Sequence, residues 1–101
     1  MNQMQQMIQQ AQRMQRELNK AKAAMAEKEF PVSKNGLVTV IVMGNKSIKS
    51  IDIDEEALDP SNKEMVEEAI KMALEEAFAI IDKENDEIEK KITGRVGGLG
   101  F

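Results

Sequence analysis

Arg13, Arg16 and Lys20 follow one another at spacings of three and four, in a stretch that contains neither glycine nor proline. On a helix that spacing gathers the three cations on one side, with Lys22 flanking them. Such a stripe is either a solvated helical face or a surface for phosphates. Gln5, Gln6, Gln9, Gln10, Gln12 and Gln15 surround it with uncharged donors and acceptors. A second, smaller set of cations, Lys90, Lys91 and Arg95, closes the acidic half of the chain.

Two other groupings invite chemistry and do not sustain it. Asp52, Asp54, Glu55, Glu56 and Asp59 bring five carboxylates together, but without the glycine and oxygen-ligand spacing of a calcium loop. Carboxylates at this point complement the dipole of a following helix. Gly97-Gly98 lacks the downstream helix and the Lys-Ser/Thr pair of a phosphate loop. The chain has no histidine, cysteine, tryptophan or tyrosine. The commonest acid-base residue and metal ligand are therefore missing, and thiol chemistry and disulfides are excluded. No catalytic residue, metal or cofactor is expected, and no small-molecule substrate.

The 101 residues suffice for one domain with a modest core. No signal-like segment or membrane-length apolar run is visible, so a cytoplasmic protein that does not engage membrane is expected. The net charge of −4 conceals a division. Residues 1–50 carry eight Lys/Arg against three Glu, a net +5. Residues 51–92 carry five Lys against fifteen Asp/Glu, a net −10, and Arg95 completes the total. What a polyanion meets is the local field, not the total. A basic and an acidic half also suggest complementary packing between copies.

The elements that must position these residues turn on the centre of the chain, Gly36 to Asp54. Val38, Val40, Ile41 and Val42 give Leu37–Met43 the composition of a strand. Asn35-Gly36 is the strongest short hairpin signal, and Gly44-Asn45 marks a second turn into Ile48–Asp54. Pro31 confines Phe30–Lys34 to a sheet edge. Ile48 lies three before Ile51, out of phase with the Ile51/Ile53 alternation, so a bulge near Lys49-Ser50 is expected. The result is a three-stranded antiparallel meander.

Helices flank it. Met4, Met7, Ala11, Met14, Leu18, Ala21 and Met25 hold an a/d seam for three heptads, on a helix of about 40 Å against strands of about 23 Å. Part of that helix must overhang the sheet. Asp59-Pro60 starts a second helix running to about Ile92, some 50 Å long, whose later part is mostly charged. The domain is therefore read as residues 1–92, and 93–101 as a flexible Gly-rich tail. The middle strand is apolar on both faces, which implies a cover on each. Its own helices supply one and a second copy the other, with Val38, Val40, Ile41, Val42, Ile51 and Ile53 as the expected dimer interface.

In order and spacing the chain resembles the YbaB/EbfC nucleoid-associated proteins over essentially its whole length. The residues that carry this are MQQMIQQAQRMQRELNKAKAAM, Gly36-x-Val38-x-Val40 with Gly44, and Ile51-x-Ile53-Asp54 with Leu58-Asp59-Pro60. KEMVEEAI and the final GGLGF complete the match. The resemblance implies an α+β protomer of order α-β-β-β-α, paired as a tweezer-like homodimer. It also implies binding to double-stranded DNA, a place in the nucleoid, roles in its organisation and in gene regulation, and no enzymatic activity. Where the family tends to have A-x-N-x-A, this chain reads Ala73-Leu74-Glu75-Glu76-Ala77. The acidity of its second helix makes that surface a poor DNA contact, and Arg13, Arg16, Lys20 and Lys22 are the expected one, helped by Lys90, Lys91 and Arg95. The alternative is a protein-interaction or chaperone-like module that clasps an amphipathic helix with its Met-rich seam.

Overall fold

The computed structural model describes residues 2–96, with side chains through residue 94. Helix α1 (Gln3–Ala26) leads into strands β1 (Glu29–Lys34), β2 (Val38–Met43) and β3 (Ile48–Ile53), and helix α2 (Lys63–Val96) closes the order. The sheet is an antiparallel meander, β1-β2-β3. The expected α-β-β-β-α arrangement is present in full.

The turns follow their residue types. Asn35 and Gly36 both take positive φ, 56° and 67°, as a type I′ turn requires, and Leu37 N–H donates to the Lys34 carbonyl at 2.9 Å to close it. Gly44 is glycine for another reason. A Cβ there would stand 1.7 Å from the Met25 carbonyl oxygen, because the end of α1 crosses the β2–β3 turn and Gly44 N–H donates to the Lys28 carbonyl at 2.9 Å. The bulge also falls where the isoleucine phase demands it. Ile41 pairs with Ser50 but Val42 pairs with Ile48, so Lys49 is the extra residue and Ile48, Ile51 and Ile53 reach one face. Pro31 sits on edge strand β1.

Between β3 and α2 the acidic cluster caps. Asp54 accepts from Glu56 N–H at 3.1 Å, and Asp59 accepts from Ser61 N–H at 2.9 Å and its hydroxyl at 2.7 Å. Pro60–Asn62 form a 3-10 turn before α2 begins at Lys63. The helix also continues past Ile92 to Val96, with the Thr93 hydroxyl donating to the Glu89 carbonyl at 2.6 Å. The first part of the expected tail is thus helical backbone, and residues 97–101 lie outside those described.

One side of α2 lies across β1 and β2. Val66, Ala69, Ala73, Ala77 and Ile81 are buried against Phe30, Val32, Val38, Val40 and Val42, and Met25 of α1 completes the core. The alanines let the helix approach the sheet closely, while the β-branched strand residues supply the volume. Val38, Val40 and Val42, expected at a dimer interface, are at most 2% exposed inside the protomer. They are turned to α2, which already covers them. Ile41 is on the opposite, open face with Thr39 and Met43, partly exposed and beside the Ser33–Thr39 hydroxyl pair.

Beyond the sheet, α2 runs on and the second half of α1 returns along it. Met14, Leu18 and Ala21 are half-buried there, whereas Met4, Met7 and Ala11 are exposed. By length α2 spans about 51 Å and the uncovered start of α1 adds about 18 Å, which accounts for the 71 Å long axis of a molecule only 21 × 14 Å across. The protein is a rod, with the sheet at one end and the tip of α1 at the other.

Candidate nucleic-acid interface

The cations of the first half of the chain divide by partner. Lys22 pairs with Glu89 at 2.8 Å, Lys28 with Glu84, Lys34 with Glu76 at 2.7 Å and Lys46 with Asp82 at 2.6 Å. Lys49 pairs with Glu29. Four of these ties reach α2, so the basic and acidic halves complement each other within one protomer. Each exposed bridge contributes little stability, but together they neutralise much of the charge that faces the body. Arg13, Arg16 and Lys20 have no ion pair among the described residues, and all three are exposed. They point away from α2, about 150° around α1 from its apolar seam.

Pairing of the helices brings in the second cationic set. Lys22–Glu89 and Lys28–Glu84 fix an antiparallel register, which places Lys20 level with Lys91. Both are exposed, and Lys91 has no partner among the described residues. Lys90 does not join them. It lies about 160° around α2 from Ile88 and Ile92, the residues turned to α1, and is held by Asp86 at 3.2 Å. Lys22 is drawn into its bridge on the flank facing α2. The side chain of Arg95 lies outside the described residues. Of the seven cations expected, the fold thus gathers Arg13, Arg16, Lys20 and Lys91 on one part of the two-helix arm. The exposed cations of this side can contact phosphates, whose oxygens accept from guanidinium and ammonium groups without reading bases.

These features fit the outcome of comparison with known proteins. The model of the YbaB/EbfC DNA-binding family matches residues 1–96. The chain belongs to that family. It is 38% identical over 85 residues to a nucleoid-associated protein of Metamycoplasma arthritidis, covering 84% of this chain and 88% of that one. With a nucleoid-associated protein of Enterococcus faecalis it shares 36% over 100 residues, 98% of this chain and 96% of the relative. A further nucleoid-associated protein, from Mycoplasmopsis pulmonis, is 37% identical over 86 residues, 85% of each chain. Among the described residues, no helix is long and apolar enough to cross a membrane.

A second surface escaped the reading of single residues. The Lys34–Glu76 bridge ties one flank of α2 to β1. Leu74 and Phe78 lie on the opposite flank, Phe78 about 200° around the helix from Glu76, and are partly buried with Ile70 and Ile53. Beside them Ile48 and Ile51 of β3 are 47% and 44% exposed. The helix is too narrow to cover three strands, so an apolar groove remains along β3. The i, i+4 pair Leu74/Phe78 and the isoleucine phase of β3 are its signals in the sequence, legible only once the side of α2 is known.

Proposed function

We propose that this member of the YbaB/EbfC family is a nucleoid protein that binds duplex DNA as a homodimer, mainly through the phosphate backbone. The observation that carries the reading is the division of charge. Each lysine of residues 21–50 has an acidic partner, while Arg13, Arg16 and Lys20 face solvent together. Lys91 extends that stripe, Arg95 follows it on the same arm, and Lys22 and Lys90 join only by giving up their bridges. Long flexible cations on a helix, with no aromatic side chain beside them, suit contacts that position rather than specify. Titration of two unrelated duplexes by fluorescence anisotropy tests this. Affinities within a few-fold of each other, falling steeply with salt, are expected; tight binding of one duplex alone would overturn it.

The second copy is placed along β3. The groove of Ile48, Ile51, Ile53, Ile70, Leu74 and Phe78 offers an apolar patch that an isologous two-fold pairing would cover on both protomers at once. The open face around Ile41 carries Ser33, Thr39, Ser50 and Asp52 and suits water better. A dimer doubles the basic stripe, and with it the phosphates engaged. Dissociation that abolishes DNA binding, while each protomer stays folded, is the expected coupling. Roles in nucleoid organisation and gene regulation would follow from occupancy along the chromosome.

A further inference from the structure

Beyond the level of Val96, α1 continues alone among the described residues. The register set by Lys22–Glu89 brings Val96 level with about residue 15 of α1, so residues 3–14 have no neighbouring helix among the described residues. Isolated helices of this length are marginal in water. The capping box between Asn2 and Gln5 holds the start, but the apolar seam goes on uncovered. Met4, Met7 and Ile8 are 70%, 57% and 50% exposed, and with Gln3 and Ala11 they line an open apolar hollow of about 480 Å³.

Resting on the DNA-binding reading above, we infer that the α1 tips of two DNA-bound dimers pair antiparallel through Met4, Met7, Ile8 and Ala11, so that the protein bridges two duplexes. The seam itself selects a second copy as its occupant. Residues 2–12 contain no charged side chain, so a charged peptide finds no complement there. The flanking glutamine amides, each both donor and acceptor, complement one another. The seam is also continuous with Met14, Leu18 and Ala21, which already pack against a helix in this chain. Methionine adapts to such a partner without a dedicated pocket.

The size of the contact decides when it forms. Four apolar side chains from each copy bury only a few hundred Å², well below the roughly 1,200 Å² of a standing interface. Free in solution the tips stay apart, and on DNA the raised local concentration joins them. The outcome is set by the faces of α1. Arg13, Arg16 and Lys20 lie on the side away from the seam, so two helices joined seam to seam turn their basic stripes outward in opposite directions. Each stripe then holds its own duplex.

The experiment uses the full chain. Bead-bound duplex captures a fluorescent second duplex, while anisotropy on a short single duplex reads binding alone. Met4→Gln/Met7→Gln/Ile8→Gln keeps good helix formers at every position, and its melting temperature and single-duplex affinity should match wild type while capture falls at least tenfold. In a chain without cysteine, Ile8→Cys supplies one thiol, and a bismaleimide should link two dimers only when duplex is added. Wild type that binds one duplex but captures no second overturns bridging and leaves the DNA reading intact. Wild type that binds no duplex removes both. Capture only after truncation at Val96 would assign the seam to residues 97–101, and capture undiminished in the triple variant would move the junction elsewhere; either result overturns the proposal.

Discussion

Replacing Lys20 or Lys22 by glutamine separates a cation aimed at phosphates from one spent inside the arm. The two residues are two positions apart and both exposed, yet Lys22 Nζ lies 2.8 Å from Glu89 Oε1 and Lys20 has no ion pair among the described residues. In the proposed dimer Arg13, Arg16 and Lys20 would neutralise about six phosphates and by themselves contribute about −5 to the slope of log affinity against log salt. Between 50 and 200 mM salt that is a loss of about a thousandfold. Lys20→Gln removes two of the six contacts and should flatten the slope by about 2. Lys22→Gln should change it little, because Lys22 reaches DNA only by surrendering Glu89, and an exposed bridge is worth at most about 1 kcal/mol. The triple variant Arg13→Gln/Arg16→Gln/Lys20→Gln should remove about 5 from the slope, leaving only what Lys91 and Arg95 supply, with the fold retained. The assay is anisotropy of a labelled duplex over a salt series. Equal changes from Lys20→Gln and Lys22→Gln, or a triple variant with the slope of wild type, would refute the division of charge as the basis of the site.

Other substitutions probe the parts that present this stripe. Ile51→Asp, in the open groove, should split the dimer in sedimentation while each protomer keeps its helical circular dichroism, whereas Ile41→Asp on the outer face should leave the dimer whole. Val40→Asp should unfold the chain, since an unpaired buried carboxylate costs several kcal/mol of a total of about 5–15. Gly44→Ala forces a methyl into the Met25 carbonyl, 1.7 Å from its oxygen, and should lower the melting temperature clearly in a thermal melt. Asp59 is held below the ordinary aspartate pKa, first by the Ser61 backbone N–H and then by its hydroxyl. That contribution is therefore full above the unfolded aspartate value and disappears as pH falls through the lower folded one. Asp59→Ala should accordingly show a shallower acid limb in denaturant midpoints measured from pH 5 to 2.

Local physics made most of the fold legible. β-branched runs, the Asn35-Gly36 hairpin and an isoleucine phase that demands a bulge specify the meander without reference to anything distant. The heptad seam of α1, longer than any strand it could cover, announces an overhang. What stayed hidden depends on tertiary placement. Gly44 reads as a turn residue, and only the crossing of α1 shows that it makes room for a carbonyl. The three valines of β2 read as interface because both faces of the strand are apolar, and the course of α2 is needed to see them covered. Lys90 and Lys91 are neighbours in sequence, but the helix sends them to different sides of the arm. The stripe Arg13-Arg16-Lys20 was visible from spacing alone. Its distinction from Lys22 was not, because the partner that neutralises Lys22 lies 67 residues away.

Backbone amide shifts during titration with a short duplex at low salt test the central claim most directly. The account predicts perturbations concentrated on residues 12–21 and around Lys91, spreading to Lys90 only weakly. The acidic side of α2 between residues 64 and 76 and the outer face of the sheet should remain unchanged. Perturbations centred on the sheet or on the first half of α2, with the Arg13–Lys20 segment silent, would contradict it.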